Sequence, residues 1–202
     1  RICDERGILL ILDEIYTGFG RTGRLFACDH EEVVPDLLCL GKAMGGGMPI
    51  SACVGREEVM ARMGPSEGEA LHTQTCRGHP LSAAAARAAS DASIDRDLAQ
   101  AAQERGAYLM KGLEALKARH PLIGDVRGKG LMCAFELVED HDTKAPAKGM
   151  GAHIMNRALK EGLLLLPSGA HGSVVGMSPP LTINEAQLDI ALSILDGIIG
   201  SL

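Results

Sequence analysis

The chain has 202 residues, 46% of them apolar and 23% charged, and carries a net charge of −6. This is the make-up of an ordinary soluble globular protein, with room for one large domain or two small ones. A modest acidic balance without basic patches argues against nucleic acid or an anionic membrane surface as a partner, and no apolar run reaches the length that spans a bilayer.

In chain order, "RICDERG" reads as the end of a helix that runs straight into a continuous apolar stretch, Ile8 to Leu12, closed by Asp13 and Glu14. Such a run suits a strand buried on both faces of a parallel sheet. A strand so apolar needs neighbours on both sides, so the chain reads as a fragment whose N-terminal part is missing. Leu37 to Leu40 is a second strand, and Ile50 to Val54 a third, returning after the turn-forming "GGGMP". Together they predict part of an α/β sheet.

"HPLSAAAARAASDASI" predicts a helix opened by Pro80. A second helix is expected from Asp97 to about His120, stopped by Pro121. Beyond it the character changes. "LMCAFELV", "LLLLP" and "VVGMSPPL" are short strand candidates, and "AHIMNRALKEG" is an amphipathic helix ending at Gly162. A last helix runs from about Glu185 to Ile199, with Asn184 as N-cap and Gln187 completing a capping box. This tail reads as a smaller α+β domain, and "EDHDTKAPAKG" as a solvated loop. Met44, Met48, Met60 and Met63 are expected to pack.

The six cysteines contain no CxxC pair, which suits reduced thiols of a cytoplasmic protein better than a disulfide framework. The seven histidines show no metal spacing, so no metal site is expected.

Asp13 and Lys42 each stand just beyond an apolar strand. If those strands are parallel neighbours, both residues emerge at the carboxyl edge, where open α/β sheets bind ligands. A salt bridge or two solvated loop ends is the plain alternative, since structural ion pairs outnumber catalytic ones. The glycines after Lys42 favour chemistry instead. A desolvated, neutral lysine is a nucleophile toward carbonyls, and Gly45 to Gly47 would leave room for a planar ligand. An aldehyde cofactor with a ring nitrogen uses both groups at once, the lysine at the aldehyde carbon and the aspartate at the protonated ring nitrogen. Pyridoxal phosphate fits that description. Between the two lies "GFGRTG", a literal dinucleotide-binding pattern. It fails on context, because three residues separate it from the strand-end acids and no crossover helix fits before Pro35.

The stretch "LLILDEIYTGFGRTGRLFACDHEEVVPDLLCLGKAMGGGMPIS" resembles the core of the class III aminotransferases, pyridoxal-phosphate enzymes of fold type I. The resemblance continues through "HTQTCRGHPLSAAAA", "HPLIGDVRGKGLMCAFEL", "GLLLLPSG" and "SPPLTI", covers the chain in order, and corresponds to the C-terminal half of such an enzyme. It implies a mixed-sheet large domain contributing residues 1–97 and a small α+β domain over 98–202. It makes Lys42 the Schiff-base lysine, Asp13 the partner of the pyridine nitrogen, and Ile15 a residue packed on the ring face. Thr75 would reach the cofactor phosphate of a neighbouring subunit, which implies a homodimer. From the residues alone, Ile15 reads as core and Thr75 as a loop or cap residue.

Where many relatives have a glutamine contacting the ring hydroxyl, this chain has Tyr16, a cofactor-binding candidate whose hydroxyl either substitutes for that contact or points elsewhere. Where ornithine-like members carry an arginine for a substrate carboxylate, it has Gly176, which removes a bidentate cation. Arg127 in "GDVRGKG" is expected in a turn or an interdomain ion pair, and His72 and His79 in ordinary polar loop roles. The reading is a transaminase that passes an amino group from an amine or amino acid to a keto acid. A decarboxylase or aminomutase on the same scaffold, and a truncated chain with only a structural or partner-binding role, are the alternatives.

Overall fold

The structure, a computed structural model, describes residues 1–65, 68, 72 and 76–202. The chain separates into two units, Arg1–Asp97 and Leu98–Leu202.

The first unit opens with α1 (Ile2–Arg6) and holds a sheet of β1 (Ile11–Asp13), β2 (Leu37–Leu40) and β3 (Ala52–Gly55). The strands lie in the order β1-β2-β3. β1 runs parallel to β2, with Asp13 opposite Cys39, and β3 returns antiparallel. The apolar run from Ile8 puts only its end into the ladder. Ile8, Leu9 and Ile11 are 53%, 55% and 57% exposed, so the expected burial on both faces is not met within this chain. β1 is the edge strand of the described sheet and pairs only with β2. After β3 come α2 (Glu57–Met60) and α3 (Pro80–Asp95). The His79 ring caps α3 by accepting from the Ser82 amide at 3.3 Å, and Pro80 stands in the first turn, where its missing N–H is no loss. Met44, Met48 and Met60 are half-buried, whereas Met63 is 55% exposed and does not pack as expected, because it sits in a short 3-10 turn at the surface.

The second unit has α4 (Leu98–Arg119), β4 (Ile123–Lys129), β5 (Met132–Leu137), α5 (Met150–Lys160), β6 (Leu166–Ser168), β7 (Val174–Met177) and α6 (Glu185–Ile199). Its sheet has the order β4-β5-β7-β6 and is antiparallel throughout. Leu109, Leu113 and Leu116 of α4, Ile154 of α5, and Leu188 and Leu195 of α6 bury fully against Phe135, Leu137 and Val175 of the sheet. Each such side chain contributes about 1.5–3 kcal/mol. The capping box of α6 forms, with the Gln187 amide donating to Asn184 Oδ1 at 2.9 Å and the Asn184 amide donating to Gln187 Oε1 at 3.1 Å.

β4 has no counterpart in the expected elements. Arg127 lies on it rather than in a turn, and donates to Asp125 at 2.6 Å and to Glu136 of β5 at 2.8 Å, both within this unit. Cross-strand charge pairing of this kind lets a polar, glycine-containing segment hold as a strand. Among the described residues, no helix is long and apolar enough to cross a membrane.

Candidate active site

β1 ends at Asp13, and β2 ends at Leu40, two residues before Lys42. Because the strands are parallel and in register, both ends open on one carboxyl edge. The ladder continues one step further, with the Glu14 amide donating to the Cys39 carbonyl at 2.9 Å. Asp13 Oδ1 accepts from the Ile15 amide at 2.9 Å, which fixes the orientation of the carboxylate. The Ile15 side chain lies on Gly41, since a Cβ placed there would stand 3.3 Å from Ile15 Cγ2. One residue further on each side, Lys42 Nζ lies 5.3 Å from the centroid of the Tyr16 ring. A cation–π contact at an exposed site is worth about 0.5–1 kcal/mol. Asp13, Ile15, Tyr16 and Lys42 are thus gathered by two neighbouring strand ends. Thr75 lies outside the described residues.

Lys42 begins a 3-10 turn, Lys42–Gly45, with φ at +40°. A left-handed backbone costs a side-chain-bearing residue about 1–2 kcal/mol, and such strain clusters at sites where the surroundings over-determine it. The amine itself is exposed in this chain rather than buried. The glycines also differ from expectation. A Cβ on Gly45 would meet Ile50 Cγ2 at 3.1 Å, and one on Gly46 would meet Ala89 Cβ of α3 at 3.0 Å. Two of the three glycines therefore admit the protein's own packing, and only Gly47, at φ +101°, borders open space.

Glu14 was not singled out by its sequence context, yet it organises the loop. It is 3% exposed. Its Oε2 accepts from the Thr17 hydroxyl and from the Ala27 amide at 3.0 Å, and its Oε1 from the Cys28 amide at 2.8 Å. Burial pushes its pKa up, but the Thr17 hydroxyl and the two amides together outweigh burial and hold it below the ordinary glutamate value. "GFGRTG" is the tip of the loop that Glu14 closes. A hydrogen bond from the Gly20 amide to the Leu25 carbonyl at 3.1 Å folds it back, and a short 3-10 helix, Ala27–His30, follows it. That is no phosphate-binding helix start, so the dinucleotide pattern is a coincidence of turn residues. In the second unit, Gly176 sits on β7 between Ala134 and Leu166 and presents no side chain.

The profile of the family described as aminotransferase class-III matches residues 1–199. The chain is 42% identical to the leucine/methionine racemase of Thermococcus litoralis over 97% of its own length and 43% of that protein. It is 42% identical to the 5-aminovalerate aminotransferase DavT of Pseudomonas aeruginosa over 96% of its length and 45% of that protein. A solved amine transaminase from an uncultivated Pseudomonas species, in its PLP-bound form, superimposes with a TM-score of 0.90 at 35% identity, covering 99% of this chain and 46% of the other. The chain spans less than half the length of these relatives.

Proposed function

The chain belongs to the class III aminotransferases, and from that premise we propose that it is the C-terminal half of a pyridoxal-phosphate-dependent transaminase of the cytoplasm. The enzyme moves an amino group from an amine or amino acid to a keto acid. The observation that carries this reading is the shared carboxyl edge of β1 and β2, which sets Asp13 and Lys42 beside one another's loops. The residues present fit the group. Lys42 would hold it at the aldehyde carbon, Asp13 at the ring nitrogen and Ile15 at the ring face, with Thr75 of a second copy at the phosphate in a homodimer. When bound, the cofactor supplies an electron sink for carbanion charge at the substrate carbon.

The chain's own groups then divide the work. The Asp13 carboxylate, oriented by the Ile15 amide, holds a proton at the ring nitrogen. Lys42 Nζ would take the proton from the substrate carbon and return it as general acid. Tyr16, facing that amine, keeps it at the strand edge while it is charged. With Gly176 in place of a carboxylate-binding arginine, the donor is an amine or an ω-amino acid.

Borohydride reduction of the cofactor-loaded full-length protein, followed by peptide mass analysis, is expected to place the adduct on Lys42. An adduct on another lysine refutes the assignment. Substrate assays test the reaction class. Amine consumption that depends on a keto acid supports transamination. Carbon dioxide release, or racemisation of a single amino acid with no keto acid consumed, would assign the same residues to a different reaction.

A further inference from the structure

Glu14 stands between Asp13 and Ile15, and its backbone and side chain are all engaged. Its amide donates to the Cys39 carbonyl at 2.9 Å, on the strand that leads to Lys42. Its carbonyl accepts from the Gly18 amide at 3.0 Å and closes the turn that follows β1. Its carboxylate, 3% exposed, accepts from the Thr17 hydroxyl and from the Ala27 and Cys28 amides at 3.0 and 2.8 Å. The turn has little slack, since a Cβ on Gly18 would stand 2.8 Å from the Glu14 carbonyl oxygen and 3.3 Å from Phe26 Cδ1. All of these partners belong to the first unit, and further neighbours can only bury the carboxylate more deeply.

We propose that Glu14 is a positioning residue for the cofactor ring: by pinning the turn after β1 it holds the Ile15 amide that aims Asp13 at the ring nitrogen. The inference rests on the transaminase reading of Asp13. Asp13 Oδ1 takes its orientation from the Ile15 amide at 2.9 Å, so whatever fixes residues 14–18 also fixes that carboxylate. A buried carboxylate is costly unless donors fill it. Here they do, and hydrogen bonds to an ionised acceptor are roughly twice as strong as neutral ones. The Ala27 and Cys28 amides lie at the far end of the loop, so the same charge ties both ends of it together. Without that tie the turn rocks, the Ile15 N–H swings off Asp13, and the Asp13 carboxylate rotates away from the in-line geometry that holding a proton on the ring nitrogen needs. Glu14 thus acts through Ile15 and Asp13 and touches no reacting atom.

The test uses the full-length protein loaded with pyridoxal phosphate carrying a heavy-nitrogen label in its ring, whose NMR signal reads protonation of that atom directly. In Glu14→Gln the ring nitrogen should lose its proton about one pH unit lower than in wild type, a roughly tenfold weaker hold. Thr17→Val removes one donor to the same carboxylate, should shift the signal in the same direction by less, and carries the test if Glu14→Gln does not fold. Asp13→Asn gives the response to losing the aimed carboxylate itself. Gly106→Ala, a packing change in the second unit, should titrate as wild type, which separates positioning from general loosening. A response to Asp13→Asn with none to Glu14→Gln or Thr17→Val overturns this inference alone, and so does an equal response in Gly106→Ala. No response to Asp13→Asn overturns the transaminase reading of the site and this inference with it.

Discussion

Replacing Glu14 by glutamine tests whether a buried charge ties down the loop that carries Ile15 and Tyr16. Glutamine has nearly the same volume, so packing is kept and only the acceptor pattern changes. Its single carbonyl oxygen can take the place of Oε2, which serves Thr17 and Ala27, or of Oε1, which serves Cys28. In the better orientation its amide group then confronts the Cys28 N–H, donor against donor, in a site that is 3% exposed. Losing a hydrogen bond to a charged group, and leaving a buried donor unsatisfied, costs about 2–4 kcal/mol together. The acid dependence follows from linkage. The folded pKa of Glu14 is depressed, so the unfolded chain binds the proton more readily, and stability rises with pH through this window. The contribution is fully present above the unfolded value of about 4.3 and is lost as pH falls through the folded one. The gap between wild type and variant should therefore be constant near neutrality and shrink in acid. Urea unfolding across pH measures the gap, and hydrogen exchange at the Ala27 and Cys28 amides reports whether the loss is local to the loop. A neutral-pH difference below about 0.5 kcal/mol, in the range of an ordinary surface change, or a gap that stays constant into acid, would sink the reasoning.

Two helical glycines should respond to alanine with opposite signs. At Gly106 of α4 a Cβ would lie 2.0 Å from the Gly130 carbonyl oxygen, in the backbone of the β4–β5 turn. The clash should exceed the propensity gain of about 1 kcal/mol and leave Gly106→Ala roughly 2 kcal/mol less stable. At Gly197 of α6 nothing lies within 4 Å, so Gly197→Ala should be more stable by about 0.5–1 kcal/mol. Thermal melts of the two variants decide it, and equal signs would refute the packing argument. The chain has two tyrosines, and the Tyr108 hydroxyl donates to Asp189 at 2.7 Å. That hydrogen bond, then burial and the nearby acids, pushes Tyr108 above the ordinary phenol value. Phenolate absorbance should show one tyrosine titrating late, and Asp189→Asn should bring it down; an unchanged titration in the variant would count against the contact.

What the sequence makes legible depends on whether a signal is local. α6 is readable because its start is written in two side chains, Asn184 and Gln187, that satisfy each other's backbone. α4 is readable because its leucines recur on one face and Pro121 forbids continuation. β4 is not, because "IGDVRGK" has two glycines and alternating charges, and it becomes a strand only when β5 supplies Glu136 to Arg127. An apolar run likewise announces a strand without its register, which is why Ile8 to Leu12 is read where only Ile11–Asp13 pairs. Glu14 is hidden for a related reason. Its amide partners are sequence-silent and lie 13 and 14 residues away. The available hint is Thr17, whose hydroxyl three residues on can donate back to the carboxylate.

The same distinction explains the glycines after Lys42. Sequence shows that side chains are missing there, but not what occupies the space. Ile50 and Ala89 fill it at Gly45 and Gly46, and Ile15 lies on Gly41 at the other end of the turn. The turn is thus gripped on both sides by its own unit, and of the three residues between Gly41 and Gly45 it is Lys42 that carries a left-handed φ. Backbone strain of about 1–2 kcal/mol persists only where neighbours leave no cheaper conformation. An amine on a freely hinged loop would relax it. The strained φ and the missing side chains therefore have one cause: Lys42 is held by close packing on either side of it, at the edge that it shares with Asp13.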